Sequence, residues 1–396
     1  MAVGLYVHVP FCALKCAYCD FNSYAGKDEL IEPYLRALKW EMRQRAQESC
    51  RAEMVLADCR AASAGSSSAA PLRAGTLYIG GGTPSHLPAG CIEDLLTEIW
   101  RRFEVVEDAE VTVEANPADL DIGRLRSMRA AGVNRVSIGV QSFDDDVLRF
   151  LARRHDAGQA RRAVEIARSA GFENVSIDLI YAVPGQAIDG WTETLEEALA
   201  ISPNHISAYS LTIEQGTCLG ALVAQGVVAP VGNDTQAKMY EIACSMLESA
   251  GYEHYEISNF ARPGFRCRHN ETYWRNEDYL GLGAGAHSYL DGVRWWNVRD
   301  PELYTQCISA GFIPVAGAER LCRQEQMSET LMLALRTSDG AAEEVLERRF
   351  GKDLWRAHRN KILAEVGKGS ARFEGGRLVL AREAFVIADR VCETLV

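Results

Sequence analysis

From residue 5 to about residue 250, short runs of apolar, largely β-branched residues alternate with amphipathic helical stretches. That alternation is the strongest limit on what the chain can fold into. The strand candidates are 5–9, 76–79, 111–114, 136–140, 175–180 and 205–211. The helical stretches are 31–45, 92–103, 121–131, 157–170, 191–200 and 235–250. Such an order predicts an α/β fold, with parallel strands joined by crossover helices. The strands read as near-continuous apolar runs, as expected when both faces of a parallel sheet are covered. Six units are too few for an eight-stranded barrel, so the expectation is a partial (β/α)6, TIM-like barrel. Ligands should then bind at the carboxyl ends of its strands.

Two stretches depart from this rhythm. Residues 61–70 read AASAGSSSAA, the centre of an expected flexible insertion over about 48–74. From about 327 the helical stretches are 328–335, 341–350 and 355–364; a hairpin follows, 371–373 and 377–380 around Glu374-Gly375-Gly376, then a helix over 384–395. We therefore expect a core over 1–310 and a smaller α+β, winged-helix-like domain over 311–396. Winged helices often bind DNA, but a fold is not a function. The net charge of -12 and the lack of a basic stripe argue against a nucleic-acid partner. No apolar run approaches the roughly 20 residues of a membrane span. Residues 1–10 are too short for a signal peptide ahead of the first cysteines. The expected location is the cytoplasm, with at most peripheral membrane contact.

Three of the 12 cysteines crowd into Cys12-Ala-Leu-Lys-Cys16-Ala-Tyr18-Cys19, directly after the first strand. The other nine are dispersed (Cys50, Cys59, Cys91, Cys218, Cys244, Cys267, Cys307, Cys322 and Cys392), unlike a disulfide framework. Thiolates suit soft iron centres, and a cubane cluster has four irons to ligate. Three protein ligands leave one iron open to an amino acid's amine and carboxylate, as in S-adenosylmethionine. Zinc would prefer paired C-x2-C knuckles with a second pair downstream, and none is present. After the second strand comes Gly80-Gly81-Gly82-Thr83-Pro84-Ser85, whose glycines let backbone groups approach a ligand closely. Polar residues recur at the following strand ends: Glu114, Gln141 and Asp178, with Arg153 after the fourth strand.

With the cysteines and these motifs in place, the chain resembles the radical S-adenosylmethionine superfamily over nearly its whole length. Within it, the chain resembles the oxygen-independent coproporphyrinogen III oxidase-like family and that family's heme-chaperone group. The resemblance implies a [4Fe–4S] cluster on Cys12, Cys16 and Cys19. It implies S-adenosylmethionine contacts at Tyr6, Tyr18, Gly81, Gly82, Thr83, Glu114, Gln141, Arg153 and Asp178. One mild departure is Ala182-Val183 before Pro184-Gly185, where relatives commonly carry Gly-Leu.

Two functions remain within the family, an enzyme and a carrier. The oxidases typically carry a further cysteine two residues beyond the third ligand, where this chain has Phe21, and a longer arm before the cluster than the eleven residues here. The segment His269-Asn270-Glu271-Thr272-Tyr273-Trp274 fits the H-N-x-x-Y-W motif of the heme-chaperone group. Imidazole is a common axial ligand of heme iron, and Tyr and Trp offer flat faces to a porphyrin. His269, Asn270, Tyr273 and Trp274 are thus the expected heme residues, with His287 a rival ligand. The reading is a heme chaperone passing heme to acceptor proteins, with an electron donor for the cluster and possible homodimerisation. Its alternative is an oxidase that decarboxylates coproporphyrinogen III to protoporphyrinogen IX.

Overall fold

A computed structural model describes residues 2–47 and 71–395. Residues 48–70, most of the expected insertion and with it Cys50 and Cys59, lie outside the described residues. The end of that stretch is already strand, because the second strand starts at Arg73.

The six expected units are present. They run β1 (Val3–Val9), α1 (Ile31–Gln47), β2 (Arg73–Gly81), α2 (Cys91–Arg102), β3 (Glu104–Ala115) and α3 (Ile122–Ala130). Then come β4 (Arg135–Gln141), α4 (Ala157–Ser169), β5 (Asn174–Tyr181), α5 (Ile188–Ile201), β6 (His205–Ser210) and α6 (Asn233–Ser249). The strands β1 to β6 pair in parallel, each with the next.

Six further strands extend this sheet, and the sequence pattern does not suggest them. Past β6 lie β7 (Glu253–Glu256) and β8 (Asn259–Ala261), both short and antiparallel. Past β1 lie β9 (Tyr279–Leu282), parallel to it, and the meander β10 (His287–Leu290), β11 (Val293–Asn297) and β12 (Val315–Arg320). The order is β12-β11-β10-β9-β1-β2-β3-β4-β5-β6-β8-β7, twelve strands among the described residues.

Only one face of the parallel strands is apolar. Leu5, Val7, Leu77, Ile79, Val111, Val113, Val136, Ile138, Val175 and Ile177 are buried in the main core with the crossover helices. The residues between them are Tyr6, His8, Tyr78, Thr112, Glu114, Arg135, Ser137 and Asp178, which turn to the opposite face. The expectation of apolar strands covered on both sides is corrected here: the inner face is a polar lumen.

At the carboxyl end of β4 the chain is clamped by helix caps. Asp144 accepts from Asp146 N and Val147 N at the start of a short helix, Asp145–Phe150. Asp156 forms a capping box with Gln159 at the start of α4. The link between them carries Arg153. Beyond the sheet lie α7 (Arg268–Trp274) and α8 (Pro301–Ser309). The C-terminal domain has α9 (Arg323–Ala334), α10 (Glu343–Phe350), α11 (Lys352–Val366) and α12 (Ala388–Leu395) around a three-stranded sheet, Ala341–Ala342, Arg377–Leu380 and Ala371–Glu374. The expected helix over 328–335 thus begins earlier, and the last one is preceded by a 3-10 turn, Arg382–Ile387.

Candidate cofactor site

The cysteine loop leaves β1 through Pro10 and is closed by a two-residue parallel pairing, Phe11–Cys12 with Tyr24–Ala25. Cys19 N donates to Cys16 O at 3.2 Å, and Lys15 Nζ donates to Ser23 O at 2.9 Å. All three sulfurs have a polar neighbour. Thr83 Oγ1 donates to Cys12 Sγ at 3.4 Å, Arg153 Nη1 donates to Cys16 Sγ at 3.4 Å, and Ser23 Oγ lies 3.8 Å from Cys19 Sγ. Burial pushes the Cys12 thiol up, and the Thr83 hydroxyl offsets part of that. The three cysteines line one cavity of about 440 Å³ at the mouth of the lumen.

Gly81 and Gly82 form its wall against the loop. Gly81 has φ 119, and a Cβ there would lie 2.6 Å from His8 Cε1. A Cβ on Gly82 would lie 2.7 Å from Phe11 O and 2.9 Å from Cys12 Sγ. Side chains are excluded at both positions so that backbone can border the thiols.

Glu114 accepts from Tyr78 Oη at 2.9 Å and from Gly81 N at 3.0 Å. Burial pushes its carboxyl up to about 7, with Asp178 adding to the effect. Asp178 accepts from Ser137 Oγ at 3.4 Å, and burial raises its pKa too. Gln141 ends β4 in the left-handed region, φ 67, a strained position for a residue other than glycine. Tyr18, Gly81, Gly82, Thr83, Glu114, Gln141, Arg153 and Asp178 all line the cavity with the three cysteines.

Tyr6 is placed differently, behind the wall, with Tyr6 Oη 2.9 Å from His8 Nδ1. His8 Nε2 lies 2.8 Å from Asn22 O, an acceptor, so Nε2 carries the proton and Nδ1 accepts from Tyr6. Burial holds the ring neutral, with its pKa lowered to about 4. Asn22 in turn donates to Ala284 O and Arg299 O, fixing the base of the cysteine loop.

The H-N-x-x-Y-W segment forms α7, packed against the amino-terminal part of the lumen. Glu110 on β3 accepts from Arg268 N at 3.1 Å and His269 N at 3.0 Å. His269 is buried, with Nδ1 2.8 Å from Thr76 Oγ1 and Nε2 2.8 Å from Tyr273 Oη. Burial and the Arg135 charge lower its pKa to about 3. Both nitrogens are engaged, so neither is presented to a ligand in this arrangement. Asn270, Tyr273 and Trp274 face a second cavity of about 480 Å³, which shares Asn270 and Tyr209 with the first. The rival His287 lies elsewhere, exposed on β10 and stacked 5.9 Å from Trp296. Sequence reasoning missed the second cavity's other walls, Glu256, Asn259 and Arg336, which nothing local in the sequence connects to α7.

Among the described residues, no three His, Cys, Asp or Glu side chains converge on a position for a single metal ion. A cubane takes one thiolate at each of three iron corners, and three thiols around a glycine-walled cavity suit that donor set. No helix among the described residues is long and apolar enough to cross a membrane.

Residues 6–198 match the model of the Radical SAM superfamily, and residues 321–387 that of the HemN C-terminal domain. The chain is 37% identical to a Mycobacterium tuberculosis protein named heme chaperone HemW, covering 99% of this chain and 94% of the relative. It is 36% identical to the Bacillus subtilis heme chaperone HemW, covering 88% and 87%. Among solved structures, Escherichia coli coproporphyrinogen III oxidase (HemN), described as a radical SAM enzyme, superposes with a TM-score of 0.82. At 21% identity, covering 100% of this chain and 90% of that one, it shares the fold.

Proposed function

The chain belongs to the heme chaperone HemW family of radical S-adenosylmethionine proteins, and on that premise we propose that it carries a [4Fe–4S] cluster, binds S-adenosylmethionine against it, and passes heme to acceptor proteins. The observation that carries this reading is the convergence of the three thiols on one cavity walled by Gly81 and Gly82. Cys12, Cys16 and Cys19 hold the cluster, which supplies a single electron and an open iron for an amino acid chelate.

The chain's own groups prepare this place. Thr83 and Arg153 direct polar hydrogens at the sulfurs of Cys12 and Cys16, and the Ser23 hydroxyl lies beside that of Cys19. Glu114 and Asp178 offer carboxylates to ribose hydroxyls or an ammonium group. Gln141 and Tyr18 close the remaining sides, and Tyr6 acts through His8 on the loop base. The cofactor-holding core expected over 1–310 extends through β12, which pairs in the main sheet, and the C-terminal domain follows it. Heme is the cargo, taken up against Asn270, Tyr273 and Trp274. His269 Nε2 is bonded to Tyr273 Oη, so the imidazole would reach a heme iron only once that bond is broken. An external electron donor and a homodimer belong to the same reading, and the cytoplasm is its compartment.

The test is anaerobic reconstitution followed by iron and sulfide analysis, S-adenosylmethionine binding, and heme titration at the Soret band. The expected result is four irons per chain, loss of the full cluster in Cys16→Ser, and a Soret shift with heme. Zinc in place of the cluster, or rapid conversion of coproporphyrinogen III to protoporphyrinogen IX, overturns it.

A further inference from the structure

The second cavity has a polar floor and a cationic rim. On its floor, Glu256 Oε1 and Asn259 Oδ1 have no hydrogen-bond partner, although the two residues are only 1% and 3% exposed. Orphaned buried acceptors are costly, and their common remedy is a ligand or an ordered water. Burial pushes the Glu256 carboxyl up to about 7, against the bonds it accepts from Ser258 and Asn259. On the wall, Trp274 and Tyr273 are half-buried and offer aromatic surface.

The rim is Arg336, just past the end of α9. Its Nη1 donates to Met332 O at 2.9 Å, which anchors the guanidinium at 16% side-chain exposure. Its Nη2 pairs with Asp389 of α12, whose side chain is 80% exposed. The pair is asymmetric, an anchored cation meeting a carboxylate that reaches it from solvent. Pairs with an exposed partner contribute little stability, so exchanging that partner is easy. A guanidinium, by contrast, binds a ligand carboxylate strongly through two parallel hydrogen bonds.

We propose that Arg336 is a carboxylate clamp for a planar aromatic ligand lying along Trp274, and that Asp389 is the intramolecular carboxylate such a ligand displaces. This rests on the heme reading above and deepens it: the class recognised is a porphyrin-type ring bearing free carboxylates. The device also brings the cargo to the C-terminal domain, because displacing Asp389 frees one side chain of α12 while Cys392 still holds that helix against Met332.

The experiment uses the full chain, titrated with heme and with metal-free protoporphyrin, each also as its dimethyl ester. Arg336→Gln should weaken binding of both free acids about tenfold. Asp389→Asn removes the competitor and should tighten it about threefold. The esters should bind more weakly than the acids and ignore both substitutions. A clamp with a displaceable partner moves the two variants in opposite directions. A mere fastening between helices would lower thermal stability in both and leave affinity unchanged, and that result overturns the proposal. Tight binding of the esters overturns it as well. If neither heme nor protoporphyrin binds the wild-type chain, the cargo assignment fails along with the clamp.

Discussion

Arg153 joins the thiol of Cys16 to the barrel wall: Nη1 donates to Cys16 Sγ at 3.4 Å while Nη2 donates to Gly139 O at 3.0 Å. A single guanidinium thus fixes a cluster ligand relative to the end of β4. Only a planar fork spans both acceptors, and an ammonium at the end of a lysine does not. Arg153→Lys and Arg153→Ala should both weaken S-adenosylmethionine binding by about 2 kcal/mol, roughly thirtyfold, as expected for a lost charge-assisted bond. Iron content after reconstitution should fall less, since all three thiols remain. Calorimetric titration and iron analysis on the same preparations check this.

The wall glycine is the second point. A Cβ on Gly82 meets Phe11 O at 2.7 Å and Pro10 C at 2.9 Å, both backbone atoms that cannot swing aside. Gly82→Ala should therefore displace the segment that carries Cys12 and cut reconstituted iron to a small fraction of wild type. Gly190, within α5, is the contrast: a Cβ added there meets nothing within 4 Å, and its φ is not positive. Gly190→Ala should leave iron content unchanged and add about 0.5–1 kcal/mol of stability through helix propensity. Iron analysis and denaturant melts separate the two glycines.

Much of this architecture is legible in the sequence, for physical reasons. The six parallel strands announce themselves through Leu5, Val7, Ile79, Val111 and their like, because the helix-facing side must be apolar. The thiol trio and its glycine wall are local in sequence, so their spacing survives in one dimension. The lumen is hidden because Tyr6, His8 and Tyr78 look compatible with a covered strand until the pleat assigns them inward. The strands β7 to β12 are short, and antiparallel apart from β9, so they lack the crossover rhythm that marks the others. The bonding of His269 could not be foreseen, since Thr76 lies 193 residues away.

Glu114 makes stability depend on pH in a definite direction. Burial raises its carboxyl from the ordinary 4.5 to about 7 in the folded chain. Between those values the folded state holds a proton that the unfolded state has released. Its contribution is fully present below pH 4.5, falls as pH rises to about 7, and is level above that. Glu114→Gln cannot titrate. The wild-type stability minus that of Glu114→Gln should drop by on the order of 3 kcal/mol across that window. Glu256, shifted the same way, is common to both proteins and cancels. Denaturant melts at a series of pH values provide the difference, and a flat one would mean that Glu114 ionises normally in the folded chain.

Ala182 follows β5 at φ 60, where a Cβ is unfavourable. Ala182→Gly relieves that strain by about 1–2 kcal/mol, less the extra freedom that glycine gains in the unfolded chain. The net should be about 1 kcal/mol of stabilisation, seen as a higher melting temperature. A lower one would mean that packing of the methyl, which is buried in the core, outweighs the strain.

Tyr273 decides what His269 can do. Its hydroxyl lies 2.8 Å from Nε2, and Thr76 Oγ1 occupies Nδ1 at the same distance. Tyr273→Phe keeps the aromatic surface toward the second cavity and removes only the hydroxyl. The Thr76 bond then fixes one nitrogen, and Nε2 is left buried without a partner. The fold should lose about 1 kcal/mol for that orphaned nitrogen. If Nε2 is the nitrogen that meets iron, heme binding no longer has to break a hydrogen bond, and affinity should rise about fivefold. Stability and heme affinity then move in opposite directions, which a purely structural histidine cannot produce. Heme titration beside a denaturant melt on the same variant reads both signs, and a fall in both would assign His269 to packing alone.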